Sequence, residues 1–306
     1  MTRRGLTLAR RPRRPGIRRG ATSRRRVGYN GPVTLQILLT NDDGIHAPGL
    51  AVLRAAVDGL GEITTIAPDH NASAVARGIT VDRPLHLEPA TFGESWPGLA
   101  CDGTPSDCVR IGLVGVCGPA PDLVVSGVNC GANMGADVTY SGTVGAALEA
   151  ALRGRPALAF SVESREPGWL VEATPLVRAM VEHVIARGLP RHSILNINLP
   201  DRPLAELAGI HPARLGGASC RDSVFLGGDR AGPAAATGTP GADPFAGASE
   251  YFVPCDHPAA GEWADTDFDV VDRGCVAVTP LRYDLLDPEL LADLATWELD
   301  LERLRV

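Results

Sequence analysis

From residue 35 onward, short apolar runs rich in strand formers alternate with stretches whose apolar residues recur at helical spacing, and this alternation restricts the fold more than any other feature. Strands are expected at 35–40, 62–67, 122–126, 157–162 and 194–199, with helices at about 48–60, 104–116, 142–152 and 170–187. The helix at 48 opens on Pro48, repeats Leu50, Leu53, Val57 and Leu60 along one face, and meets Gly61 as a stop. Residues 79–87 alternate like an edge strand, 275–281 return to strand character, and 288–304 read as an amphipathic helix. Such an order of elements closes as a doubly wound, mostly parallel, Rossmann-like α/β sheet.

Composition divides the chain further. Eleven arginines and no acid stand in the first 30 residues, which leaves 18 of the 29 basic residues against all 36 acids in the remainder. The body is therefore strongly acidic, and nucleic acid is not expected as a partner. Residues 1–33 read as a disordered Arg-rich extension, 34–200 as the α/β catalytic core, 201–264 as a Gly/Pro-rich insertion or arm, and 265–306 as a C-terminal strand and helix. No apolar run is long enough to span a bilayer, so no membrane association is expected. The 7 cysteines are odd in number and contain no CxxC pair, which argues against a disulfide framework or a zinc knuckle and fits a cytoplasmic location.

At the first strand-to-helix junction, LLTNDDGIHAPGL places Asp42 and Asp43 side by side. Loops at the carboxyl ends of parallel strands are where open sheets bind ligands. Adjacent carboxylates repel, and a cation held beside them relieves the repulsion. A turn followed by a cap is the plainer reading of this tetrapeptide taken alone. Two further loops follow apolar strands and carry oxygen ligands: APDHNAS at 67–73 and SGVNCGANMG at 126–135. All three should emerge on one sheet edge, forming a hard oxygen site suited to Mg²⁺ or Mn²⁺. Beyond them, Ser141, Gly142 and Thr143 open a helix whose free N–H groups favour an anion. A metal beside a helix N-terminus suggests phosphate chemistry.

These strings, TNDDGIHAPG, APDHNAS, GTPSDCV, PDLVVSGVNCGANMG, YSGTVGAALEA and a late VTPL, together resemble the SurE family of metal-dependent survival-protein phosphatases. The resemblance implies a nucleotidase acting on nucleoside 5'- and 3'-monophosphates, and in some members on short polyphosphate. It also implies a homodimer or homotetramer built through an exchanged C-terminal segment. Carried over by position, it places one divalent ion per subunit, Mg²⁺ or Mn²⁺, on Asp42, Asp43, Ser73 and Asn129. Asp42, Asp43 and Asn129 take the catalytic roles, with Asn133, Ser141, Gly142 and Thr143 on the phosphate. Where family members tend to carry a histidine and a serine, this chain has Arg77 and Gly78, and the guanidinium suits a phosphate contact.

Several of these residues have plainer readings. Asn133 suits a left-handed turn position as well as substrate. Asp107 stands three after Thr104, the spacing of a capping box. His46 and His70 read as surface histidines, and Cys108 and Cys130 as packing atoms. Two rival functions remain at this stage: a phosphoaspartate-type phosphatase, whose usual acids are spaced Asp-x-Asp rather than adjacent, and a phosphate- or nucleotide-binding module without turnover. A dinucleotide-binding oxidoreductase is disfavoured because no GxGxxG follows the first strand.

Overall fold

The computed structural model describes residues 26–27, 34–115, 117–217, 225–226, 251–252, 264–294 and 296–297. Most of the Arg-rich extension and of the Gly/Pro-rich segment lies outside the described residues. Within the former, Arg26–Val27 pairs antiparallel with Leu189–Pro190.

One nine-stranded sheet organises the rest. In chain order its elements are β1 (Gln36–Thr40), α1 (Pro48–Ala56), β2 (Glu62–Pro68), β3 (Leu87–Phe92), β4 (Trp96–Cys101), α2 (Pro105–Leu113), β5 (Leu123–Cys130) and α3 (Gly142–Leu152). There follow β6 (Ala157–Val162), α4 (Thr174–Arg187), β7 (Ser193–Leu199), β8 (Gly209–Pro212), α5 (Asp267–Asp272), β9 (Cys275–Arg282) and α6 (Pro288–Leu294). The strands lie in the order β8-β9-β7-β6-β5-β1-β2-β4-β3. Only β3 with β4 and β9 with β7 run antiparallel. The mostly parallel α/β fold expected from the alternation is thus the one observed.

Strand β1 pairs parallel with β2 on one side and β5 on the other, so that Leu39 faces both Thr65 and Val125. The chain winds outward from β1 to β2 and later returns to β5 on the opposite side. That reversal is a topological switch point, and it opens a crevice at the carboxyl ends of β1 and β5. Helices cover both faces. Leu50, Leu53, Val177 and Val181 from α1 and α4 pack with Leu39, Val125 and Phe160 on one side, while Cys108, Val109, Ala147 and Ala150 from α2 and α3 pack with Leu38, Val124 and Ala159 on the other. Successive strand residues point to opposite faces, so a strand covered on both sides is apolar throughout.

Local chemistry accounts for the element ends. Thr104 and Asp107 form the expected capping box at the start of α2. Helix α1 stops at Ala56, short of the expected 60, because Val57 leaves helical geometry and Gly59 takes a positive φ of 73°. The single helix expected at 170–187 is a 3₁₀ turn at Leu170–Ala173 followed by α4, with Pro175 in the first turn of α4, where its missing N–H breaks a continuous ladder. The edge strand expected at 79–87 is loop as far as His86, and the outer hairpin is β3 and β4 instead. Pro97 and Gly98 disguise β4 in the sequence. They are tolerated because β4 joins β2 only through Leu99, Ala100 and Cys101.

Candidate functional site

Asn41, Asp42 and Asp43 occupy the turn after β1, which Asn41 braces by donating from Nδ2 to the Gly44 carbonyl at 2.9 Å and accepting the Gly44 N–H at 3.2 Å. Gly44 takes φ +102°, and a Cβ there would press on the His70 carbonyl at 3.1 Å, so the turn packs against the loop after β2. That loop is pinned in return, since Ala72 N–H donates to the Asp42 carbonyl at 2.7 Å. Ser73 follows directly. The third arm is the end of β5, where Asn129 Nδ2 donates to the Gly131 carbonyl at 2.7 Å, leaving the amide oxygen as its free acceptor.

Asp42 is only 3% exposed. Thr143 donates its hydroxyl to Asp42 Oδ1, and the Thr143 backbone N–H also bonds this carboxylate. Burial nevertheless pushes the Asp42 carboxyl up from the ordinary 3.8 to about 6, the hydrogen bonds from Thr143 opposing and the neighbouring Asp43 charge adding. Asp43 accepts the Cys130 N–H at 3.3 Å, and burial raises its carboxyl as well. Among the described residues neither acid makes an ion pair. The Cys130 thiol is held neutral, pushed up to about 11 by burial and by Asp43.

A cavity of about 490 Å³ opens here, lined by Asp42, Ser73, Asn129, Asn133 and Ser141 among the expected residues. Asp43, Gly142 and Thr143 do not line it. Ser141 caps α3 by accepting the Val144 N–H at 3.1 Å, and a Cβ on Gly142 would stand 2.8 Å from that of Asp42, so the first turn of α3 closes directly on the acid. His46, His70 and Arg77 do not line the cavity, and Asp107 caps α2 as its spacing suggested.

A family model described as survival protein SurE matches residues 37–222. A protein named 5'-nucleotidase SurE from Azotobacter vinelandii is 40% identical over 268 residues, spanning 87% of this chain and 100% of its own. The protein of that name from Geobacter sulfurreducens is 41% identical over 266 residues, or 87% of this chain and 94% of its own. The crystal structure of the SurE protein from Aquifex aeolicus aligns with a TM-score of 0.69 at 33% identity, covering 85% of this chain and 98% of that one.

The chain belongs to the SurE family.

Within this SurE fold the donor set suits a hard cation. Among the described residues no three His, Cys, Asp or Glu side chains gather as a metal cluster, so any metal here would draw on two carboxylates and the neutral oxygens of Ser73 and Asn129. Few protein ligands leave positions for water and phosphate, which is how Mg²⁺ and Mn²⁺ sites beside phosphates are built. Glu163, Arg165 and Asp137 also line the cavity and were not singled out from the sequence. Glu163 and Arg165 follow β6, whose carboxyl end neighbours that of β5; extending the strand-end rule to a fourth parallel strand finds them. Among the described residues no helix is long and apolar enough to cross a membrane.

Proposed function

We propose that this protein is a divalent-metal-dependent nucleotidase that hydrolyses nucleoside 5'-monophosphates, and 3'-monophosphates with them, to nucleoside and phosphate. One observation carries the reading: two adjacent carboxylates at the switch point have no cationic partner among the described residues, and the buried one, Asp42, lines a cavity of about 490 Å³ large enough for a nucleotide. The names of the relatives support the 5'-nucleotidase part of it.

Asp42, Asp43, Ser73 and Asn129 would hold one Mg²⁺ or Mn²⁺. When bound, that ion supplies Lewis-acid polarisation of the phosphoryl oxygens and lowers the pKa of a water. The chain's own groups do the rest. Thr143 and the Cys130 N–H fix the two carboxylates, Asp43 keeps Oδ1 as an acceptor for the proton of the attacking water, and Ser141, which lines the cavity, faces the non-bridging oxygens. Water oxygen bonds to phosphorus, the bond from phosphorus to the ribose oxygen breaks, and the departing alkoxide takes a proton. A phosphoaspartate formed on Asp42 Oδ1 is disfavoured, because that oxygen is buried and engaged by Thr143.

The chain acts in the cytoplasm as a homodimer or homotetramer on this reading, with α6 as a contact between copies; Leu290 and Leu291 are exposed on it, and Leu285 and Leu286 just before it. The deciding experiment is phosphate release from 5'-AMP and 3'-AMP with Mn²⁺, with Mg²⁺ and with EDTA. Metal-dependent turnover is expected. Binding without turnover would leave a binding module, and a trapped phosphoenzyme would favour the phosphoaspartate scheme.

A further inference from the structure

The segment between β5 and α3 carries Asn133, Asp137, Tyr140 and Ser141 to the cavity. Its backbone near Asn133 is held by side chains from the other half of the chain. Asn133 N–H donates to Asn198 Oδ1 at 2.8 Å, and the Asn133 carbonyl accepts Asn196 Nδ2 at 2.8 Å and Asn198 Nδ2 at 3.0 Å. Asn198, fully buried on β7, thus grips both polar groups of one residue as a neighbouring strand would. With its backbone fixed, Asn133 reaches Ser161 Oγ from Nδ2 at 2.7 Å.

Two residues on, Gly135 N–H donates to Asp267 Oδ2 at 2.8 Å. The other oxygen of Asp267 accepts the Gly216 N–H at 2.8 Å and the Phe268 N–H at 3.1 Å, and the side chain has no exposed surface. Ala136 N–H meets the Gly217 carbonyl at 3.0 Å. Space is fully used: Gly135 has φ +53°, and a Cβ there would lie 2.5 Å from both the Gly217 carbonyl and the Phe268 ring. Buried carboxamides and carboxylates are costly unless bonded; Asn198 and Asp267 make their bonds to a loop that builds the cavity, whereas Asn196 Oδ1 has no partner among the described residues.

We propose that Asn198 and Asp267 are positioning residues of this enzyme, holding the loop from Gly131 to Tyr140 so that Asn133 and Ser141 meet the substrate in one geometry. Neither lines the cavity. The kinetic part of this inference rests on the nucleotidase reading; the structural part does not.

Hydrogen exchange on the unaltered protein, without metal or nucleotide, tests the structural part. Amides of 133, 135 and 136 should exchange slowly although they lie outside the sheet and the α-helices; exchange as fast as that of the exposed turn at 93–95 overturns the proposal. Asn198→Asp and Asp267→Asn then each spoil one hydrogen bond at nearly constant volume. Exchange at 133, 135 and 136 should accelerate and kcat/KM for 5'-AMP should fall ~10–100-fold, mainly through KM, with the Mn²⁺-induced melting shift retained. A lower melting temperature with unchanged KM and unchanged loop exchange would mean a merely structural role. If the unaltered protein turns over no nucleotide, the nucleotidase reading falls while the exchange experiment still decides the positioning. If the variants do not fold, exchange on the unaltered protein decides alone.

Discussion

Thr143 and Asp42 lie 101 residues apart in the chain and meet at the switch point, the threonine hydroxyl donating to Asp42 Oδ1. Both are buried, and the threonine sits in the first turn of α3. The helix N-terminus, which on sequence grounds looked like an anion site for substrate, therefore already faces an anion of the protein itself.

Thr143→Val keeps shape and removes that donor. In the metal-free protein the substitution should cost about 1–3 kcal/mol, because a buried carboxylate oxygen loses its partner. It should also raise the Asp42 carboxyl further and move the pH at which Mn²⁺ begins to bind upward. Thr143→Ser should restore most of both. Titration of Mn²⁺ binding against pH checks this, and an unshifted midpoint in the valine variant would contradict it.

The pH dependence of the metal-free protein has a definite sign. Asp42 titrates near the ordinary 3.8 when unfolded and at about 6 when folded, so the folded state holds the proton more tightly. Its contribution is fully present below about pH 4 and is lost as pH rises towards 6, on the order of 3 kcal/mol. Asp43 shifts in the same direction. Asp42→Asn should lack most of this slope. Denaturant melts of both proteins at pH 4.5 and 7, each in EDTA, measure the difference.

The sheet was legible in the sequence because its central strands are buried on both faces and so must be apolar throughout, as 123–125 and 157–160 are. The ligand loops were legible for a related reason: parallel strands send their carboxyl ends to one edge. What escaped was non-local. No pattern around Asn198 or Asp267 announces a partner, since the groups they hold are backbone amides with no side-chain signature. The hairpin β3–β4 escaped because a strand paired over only part of one side tolerates Pro97 and Gly98.

Helix α6 leaves Leu290 and Leu291 about half exposed. Adjacent exposed apolar side chains of this kind mark a contact surface. Replacing both by Asp should lower the mass measured by light scattering, with the nine-stranded sheet intact by circular dichroism. An unchanged mass would remove α6 from the oligomer contact.

The paired acids give the most direct test of the metal reading. Asp42→Asn and Asp43→Asn each keep size and turn geometry and remove one negative charge. Affinity for a divalent cation should fall steeply, and turnover of 5'-AMP should fall with it. Folding should survive, because each acid in the metal-free protein is held ionised against burial and, for Asp42, against the charge beside it. In EDTA both variants should therefore melt at or above the temperature of the unaltered protein. Adding Mn²⁺ stabilises whatever binds it by mass action, about 2.7 kcal/mol at a hundredfold excess over Kd. The unaltered protein should gain that much and each variant clearly less. If both variants keep the full melting shift and full metal-dependent activity, Asp42 and Asp43 form a turn and nothing more.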